Sequence, residues 1–400
     1  MRILQINCWL DSGSTGKIVY ALHKYLELHG DESYVIYGMG KKSKDPHVFR
    51  TTSNVIRKLQ SFRSRITGYP YGGCLYGTAV ALKYIKQIQP DIVHIQCMNG
   101  YMVNIYRILT YLKKNKIPTV ITNHAEFMYT GGCTHAVECN KWKTGCYNCE
   151  KISKEHPISY FFDNTKQEWN LWKKVYEGFD KLYVCNVSDW LRDRARQSPF
   201  YRRYRVETVF NGLDTNIFQY NPDNEIREKI QAKDKSVVIH VTPGFYSSIK
   251  GGKHVIEMAK RIPNAIFLVI GSEQDSNISI PSNIRFVGRI DNQKILAQYY
   301  SIADVCLLTS LRETFSMVTA ESLCCGTPVV GFKAGGPETI AISEYSSFVE
   351  QGNDDELEEE LRHMLKIKID KVALSKLACP LYSDQTMCAN YYNIYKELVE

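Results

Sequence analysis

The sequence predicts an α/β protein made of two doubly wound parallel-sheet domains in tandem, facing a cleft. Three observations point there. Short apolar runs alternate with helix-compatible stretches through both halves, as in βαβ units whose sheet is covered on both faces. The 400 residues exceed what one hydrophobic core usually organises. A turn-rich stretch, Asn211-Gly212-Leu213-Asp214, falls near the middle and reads as a hinge.

The elements follow in order. Ile3–Ile6 reads as a buried strand and Asp11-Ser12-Gly13-Ser14-Thr15-Gly16 as a turn of small residues. Ile18, Leu22, Tyr25, Leu26 and His29 then recur at helical spacing. Strands are expected at Ser33–Tyr37, Pro90–Ile95, Pro118–Ile121, Lys181–Cys185 and Val206–Phe210, with Ser188 as a helix N-cap. A cysteine-rich insertion interrupts the pattern over about 130–156. The second half repeats it with strands at Val237–Val241, Ala265–Ile270, Ile284–Val287, Val305–Leu308 and Pro328–Gly331. The expected division is 1–210 and 211–384, with a helix at 385–400 crossing back to the first domain. Ligands of such sheets sit at the carboxyl ends of the strands, and a cleft between two domains suits a two-part substrate.

Composition restricts the function classes. With 44% hydrophobic and 23% charged residues the chain is an ordinary globular one. The formal charge of +8 fits a phosphorylated substrate, an anionic membrane surface, nucleic acid or a plainly solvated surface. No charged start followed by a long apolar stretch is present, and Ile66–Leu82 is broken by Pro70 and glycines. A cytoplasmic protein is therefore expected, with its thirteen cysteines mostly reduced. Val55–Arg65 carries Arg57, Lys58, Arg63 and Arg65 among Ile56, Leu59, Phe62 and Ile66. That pattern suits a helix lying on an anionic membrane, at the inner face, or an ordinary surface helix.

The most informative run is Leu311 to Glu321, followed by Cys325-Gly326-Thr327-Pro328-Val329-Val330. Glu313 falls in the loop after the Val305–Leu308 strand, at the sheet's ligand edge. Phe315-Ser316-Met317 would present backbone N–H groups at a helix start, where phosphate or sugar oxygens bind. Glu321, inside that helix, could accept two hydrogen bonds from a ribose diol. Two acids at this spacing are by themselves weak, since most such pairs are solvated helix charges.

The whole block resembles the signature of family-four retaining glycosyltransferases, roughly Glu-x-Phe-Gly, four residues, Glu, then Cys-Gly-Thr-Pro-Val-Val, with Ser316 in place of the usual Gly. The resemblance extends to Asn211–Phe218, Phe286-Val287-Gly288, Ala303-Asp304, Pro90–His94 and Thr122-Asn123-His124, and so covers the whole chain. It implies the GT-B fold of two Rossmann-like domains and a nucleotide-diphosphate sugar donor. It further implies that Glu321 holds the ribose, that Glu313 meets the donor sugar, and that amides around Phe315, Ser316 and Met317 grip sugar and phosphate. Lys250 would neutralise the diphosphate, His124 would reach the sugar, and Gly16 would let the first loop approach the phosphates. His124, Lys250 and Glu313 are thus the candidate catalytic residues. One position departs from the family: five residues before Lys250, where an arginine is usual, stands Phe245. Lys253 or Arg289 could supply the second cation; otherwise the site is weakened. The implied chemistry is front-face transfer with retention, without a protein nucleophile. No Asp-x-Asp pair occurs, so no catalytic metal is expected.

Cys133, Cys139, Cys146 and Cys149 lie close together, with His135 nearby. Four thiolates can close a structural zinc shell; iron–sulfur ligation and plain packing of reduced cysteines are the other readings. With this insertion, the chain resembles the bacterial exopolysaccharide and colanic-acid-type branch, which implies a saccharide or lipid-linked oligosaccharide acceptor in polysaccharide biosynthesis. Two other functions stay open: a sugar-nucleotide 2-epimerase of the same architecture, and a zinc-containing RNA-binding protein. Against RNA, no aromatic RNA-binding signature accompanies the basic residues. A dinucleotide oxidoreductase is disfavoured because Gly13-Ser14-Thr15-Gly16 is not a Gly-x-Gly-x-x-Gly fingerprint.

Overall fold

A computed structural model describes residues 1–136, 138–153, 157–232 and 234–400; the far end of the cysteine-rich insertion, at 154–156, lies outside them. The chain divides into two units, Met1–Val209 with Met387–Glu400, and Phe210–Thr386.

The first unit is a parallel sheet of β1 (Arg2–Trp9), β2 (Glu32–Met39), β3 (Val48–Arg50), β4 (Ile92–Ile95), β5 (Thr119–Asn123), β6 (Leu182–Asn186) and β7 (Arg205–Thr208). Their order is β3-β2-β1-β4-β5-β6-β7. Helices α1 (Gly13–Leu28), α2 (Asn54–Thr67), α3 (Leu75–Ile88), α4 (Ile105–Lys114), α5 (Thr165–Tyr176) and α6 (Asp189–Arg196) connect them. The central strands are buried without alternation, as expected where helices cover both faces. Ile18, Leu22 and Leu26 of α1 pack with Ile3, Ile92 and Val120 of the sheet. Met387, Tyr391 and Tyr395 of the last helix (Asp384–Val399) join the same core. Their hydroxyls have polar partners there: Tyr395 Oη lies 2.6 Å from His94 Nδ1, and Tyr391 Oη 3.0 Å from Thr122 Oγ1.

The second unit is a parallel sheet of β8 (Val237–Val241), β9 (Ile266–Ile270), β10 (Ile284–Gly288), β11 (Val305–Leu308), β12 (Val329–Phe332) and β13 (Ser346–Val349), in the order β10-β9-β8-β11-β12-β13. Its helices include α7 (Asn224–Lys229), α8 (Gly252–Arg261), α9 (Gln293–Ile302) and α10 (Met317–Cys324). Val255 and Met258 of α8 pack with Leu357 and Leu361 against Val238, Phe267, Leu307 and Val330. In each unit the strand order reverses once, between β1 and β4 and between β8 and β11. Those reversal points are where open α/β sheets bind ligands.

Some expectations shift. Helix α1 already starts at Gly13, inside the stretch read as a turn, so Gly16 is helical and buried. The short strands β3 and β13 escaped the sequence reading: β3 has three half-buried residues and no apolar run, and β13 begins with two serines. Ser188 does cap its helix, accepting from Leu191 N. Among the described residues no helix is long and apolar enough to cross a membrane.

Candidate active site

Three loops meet at the carboxyl edge of β8, β11 and β12. The loop after β8 carries Lys250, and the loop after β11 carries Glu313. Leu311 N donates to Ile249 O at 2.8 Å and Thr309 Oγ1 donates to Lys250 O at 3.0 Å, fastening the two together. Such closeness requires glycine at 251. Its φ is +70°, and a Cβ there would stand 2.1 Å from Thr309 O. The third loop grips the backbone of Glu313 on both sides: Glu313 N donates to Ala334 O at 3.0 Å, and Gly336 N donates to Glu313 O at 2.8 Å. The carboxylate is thereby aimed by its main chain. Lys250 Nζ lies 2.6 Å from Glu313 Oε1, with both side chains partly exposed. This pair joins a cation suited to a diphosphate with an acceptor suited to sugar hydroxyls.

Helix α10 begins beside that pair. Ser316 is its N-cap, with φ +77°, and its Oγ accepts from Thr319 N at 3.2 Å. The positive φ explains why glycine is usual at this position; serine keeps the turn and adds a cap bond. Phe315 is buried against Phe210, so its backbone rather than its ring faces a ligand. Met317 opens the helix. Glu321, one turn further, accepts from Tyr300 Oη at 3.0 Å. Lys250, Glu313, Ser316, Met317 and Glu321 are thus brought to one edge of one sheet.

Phe245 is a core residue. It is 1% exposed and packs edge-on to Phe286 with centroids 5.2 Å apart, while its carbonyl would meet a Cβ on Gly252 at 2.1 Å. An arginine charge buried among those rings would be costly. Of the proposed substitutes, Arg289 is exposed and paired with Asp291 at 2.7 Å, and Lys253 is exposed on the first turn of α8. Behind the loop, burial holds the His240 imidazole down to about 4, and its Nε2 has no hydrogen-bond partner.

In the first unit His124 follows β5, half-buried, with Nε2 2.8 Å from Gln96 Oε1. That oxygen can only accept, so Nε2 carries the proton. Burial pushes the imidazole down to about 4, leaving it neutral at physiological pH. Gly16 packs tightly beneath the first loop. A Cβ there would press on the chain's own backbone, 3.2 Å from Asp11 N and 3.3 Å from Leu10 C; it is Gly13, exposed with φ +66°, that has open space beside it.

Cys133, Cys139, Cys146 and Cys149 line one cavity of about 300 Å³. Cys146 Sγ accepts from Gly131 N at 3.2 Å. The donor set is that of a four-thiolate site. Among the described residues, the group whose ligand atoms all lie within 4.8 Å of one another is His23, Glu27 and Asp45. There Lys24 already answers both acids, at 2.8 and 3.6 Å.

Comparison with known proteins follows the same division. Residues 15–217 match the model described as Glycosyltransferase Family 4, and residues 222–378 match that of glycosyl transferases group 1. The chain belongs to glycosyltransferase family 4. Among curated relatives, an N-acetyl-alpha-D-glucosaminyl L-malate synthase of Bacillus anthracis is 22% identical over 40% of this chain and 44% of its own length. A D-inositol 3-phosphate glycosyltransferase of Mycobacteroides abscessus is 27% identical over 54% and 55%. The chain thus spans about half the length of these relatives. An alpha-monoglucosyldiacylglycerol synthase of Acholeplasma laidlawii is 22% identical over 96% of the chain and 93% of its own length. Among solved structures, the sucrose-phosphate synthase of Thermosynechococcus elongatus superposes with a TM-score of 0.71 at 16% identity, covering 100% and 99% of the two chains. Anabaena Alr3699/HepE, solved with UDP, gives 0.66 at 15%, covering 99% and 100%. These likenesses establish the fold of this family member as GT-B, with two Rossmann-like units.

Sequence reasoning on this family 4 chain missed the backbone clamp by Ala334 and Gly336, and the Tyr300 hydroxyl on Glu321. The run Ala334-Gly335-Gly336-Pro337 was the available signal for the first. Nothing in sequence spacing links Tyr300 to Glu321.

Proposed function

We propose that the protein is a retaining glycosyltransferase moving a sugar from a nucleotide-diphosphate sugar to a saccharide or lipid-linked oligosaccharide acceptor. The observation that carries this reading is the Lys250–Glu313 pair at the start of α10, clamped by three loops at the sheet's reversal point. In this reading the diphosphate takes over the Lys250 ammonium and the amides at Ser316 and Met317. The ribose diol binds Glu321, and Glu313 turns to the sugar hydroxyls. The bond from the anomeric carbon to the phosphate oxygen breaks, and the acceptor oxygen bonds to that carbon on the same face. The acceptor proton passes to a phosphate oxygen. Lys250 and the helix start stabilise the charge that develops on the leaving group, and binding both substrates supplies proximity. His124, which the resemblance assigns to the donor sugar, keeps its Nε2 proton on Gln96 Oε1 and would meet the sugar by exchanging that bond. A nucleotide-sugar donor is supported by the Anabaena neighbour, solved with UDP-glucose.

The finer reading places the reaction in capsule, exopolysaccharide or O-antigen synthesis at the inner face of a membrane. Val55, Leu59 and Phe62 of α2 support this placement: they are 67%, 62% and 63% exposed among arginines and lysines. The cysteine cavity would hold zinc through Cys133, Cys139, Cys146 and Cys149, a closed structural site with no open coordination position. Two experiments test these readings. Incubation with nucleotide sugars and a bacterial lipid extract should give a new α-glycoside from an α-linked donor. An isomerised nucleotide sugar instead would turn the assignment to the epimerase. Elemental analysis of the reduced protein should return one zinc per chain, and none would remove the zinc site.

A further inference from the structure

The largest cavity described, about 830 Å³, lies in the first unit and not at the Lys250–Glu313 site. It opens at the carboxyl ends of β1 and β2, and α2 contributes its first turn. Trp9, Asp11 and Tyr20 line it on one side, Lys41, Lys42 and Arg57 on the other. Trp9 and Tyr20 are 37% and 39% exposed, an unusual allowance for aromatic rings in a concave wall. The three cations outnumber the one acid. Among the described residues none of the three has a salt bridge, whereas Lys24 and Arg192 of the same unit pair with Glu27 and Asp189. The Nε of Arg57 is buried and has no hydrogen-bond partner. A guanidinium N–H withheld from water without an acceptor is costly, and a ligand oxygen would satisfy it.

We infer that this cavity receives a phosphate group carried by the acceptor, with the attached sugar or alcohol resting against Trp9 and Tyr20. This rests on the transferase reading, since it names the acceptor's chemical class. The two lysines act as mobile point charges, and Arg57 offers a planar fork to two phosphate oxygens. A neutral sugar could accept from Arg57 Nε but would bring no charge to meet the three cations. Glycine at 40 shapes the wall: its φ is +113° and Trp9's ring lies 3.8 Å from where a Cβ would stand.

The test is calorimetric titration of the full chain at physiological salt with glucose 6-phosphate, glucose and UDP-glucose. It is repeated for the Lys41→Ala/Lys42→Ala double variant, for Arg57→Gln and for Glu321→Ala. We expect glucose 6-phosphate to bind at least tenfold tighter than glucose. The lysine and arginine variants should weaken it about tenfold or more, and Glu321→Ala should leave it unchanged. UDP-glucose should show the reverse pattern. Equal affinity for the two sugars, or full binding by the lysine and arginine variants, would overturn the inference. Failure of UDP-glucose alone would strike the transferase reading and leave the phosphate site standing. Sedimentation with phosphatidylglycerol-containing vesicles locates the phosphate. Its loss in the double variant assigns the site to a lipid headgroup, and its retention assigns it to a phosphorylated saccharide.

Discussion

In the second unit Glu313 is fixed through its backbone, with N–H and C=O both bonded to the 334–336 loop. In the first unit the corresponding sheet edge presents side chains from a strand end, a loop and a helix: Trp9 of β1, Lys41 and Lys42 after β2, and Arg57 of α2. One edge is a rigid cradle of glycines and amides; the other is a lining that can be exchanged residue by residue. A site built from backbone suits a donor whose diphosphate and ribose do not vary. A site built from side chains suits an acceptor that does.

The sharpest way to break this comparison is to disturb the cradle itself. Gly251→Ala puts a Cβ 2.1 Å from a carbonyl oxygen at a positive φ, and should cost ~4 kcal/mol or more. Urea unfolding reads the loss, and a cost below ~1 kcal/mol would mean that the loops are free to part. Lys250→Ala should keep the fold and lower turnover by about 10²–10³, measured as initial rate at saturating donor. An unchanged rate would move the leaving-group role elsewhere.

Acid separates the units next. Burial depresses His94 to about 3 and His124 to about 4 in the first unit, and His240 to about 4 in the second. Unfolded imidazoles titrate near ~6.5, so below that pH the unfolded chain takes up protons that the folded chain refuses. The stability these groups contribute is complete above pH ~6.5 and falls as pH drops toward 4, by ~2 kcal/mol per histidine at pH 5. The first unit, where burial also depresses His23, should therefore lose more than the second, as read by limited proteolysis in urea at pH 7 and pH 5. The smallest effect is expected at Gly16→Ala, where the neighbours stand at 3.2 Å. Crowding offset by alanine's helix preference should leave a loss of ~1 kcal/mol, checked by thermal melting.

The same contrast explains what the sequence disclosed. Five of the second unit's six strands and the helix start at Ser316–Met317 were legible from apolar runs and a contiguous motif, while β13 was not. Phe245 was legible as a departure but not as a core residue; its packing on Phe286 joins positions 41 apart. In the first unit, the packing of Gly16 on residues 9–11 was not legible. The cavity over Trp9 and Lys41 was invisible because its residues lie on separate elements that only the fold assembles. Pro380 stands inside the helix Lys371–Tyr382, against the usual reading of proline as a stop.

The central claim is that the second unit is a nucleotide-sugar cradle centred on Lys250, Glu313 and Glu321. Thermal-shift titration with UDP, GDP, ADP, dTDP and CMP tests it most directly, using the wild type and Glu321→Ala. The account predicts that one nucleoside diphosphate raises the melting temperature of the wild type, and that Glu321→Ala loses the shift. No shift with any nucleotide, or an equal shift in the variant, would contradict it.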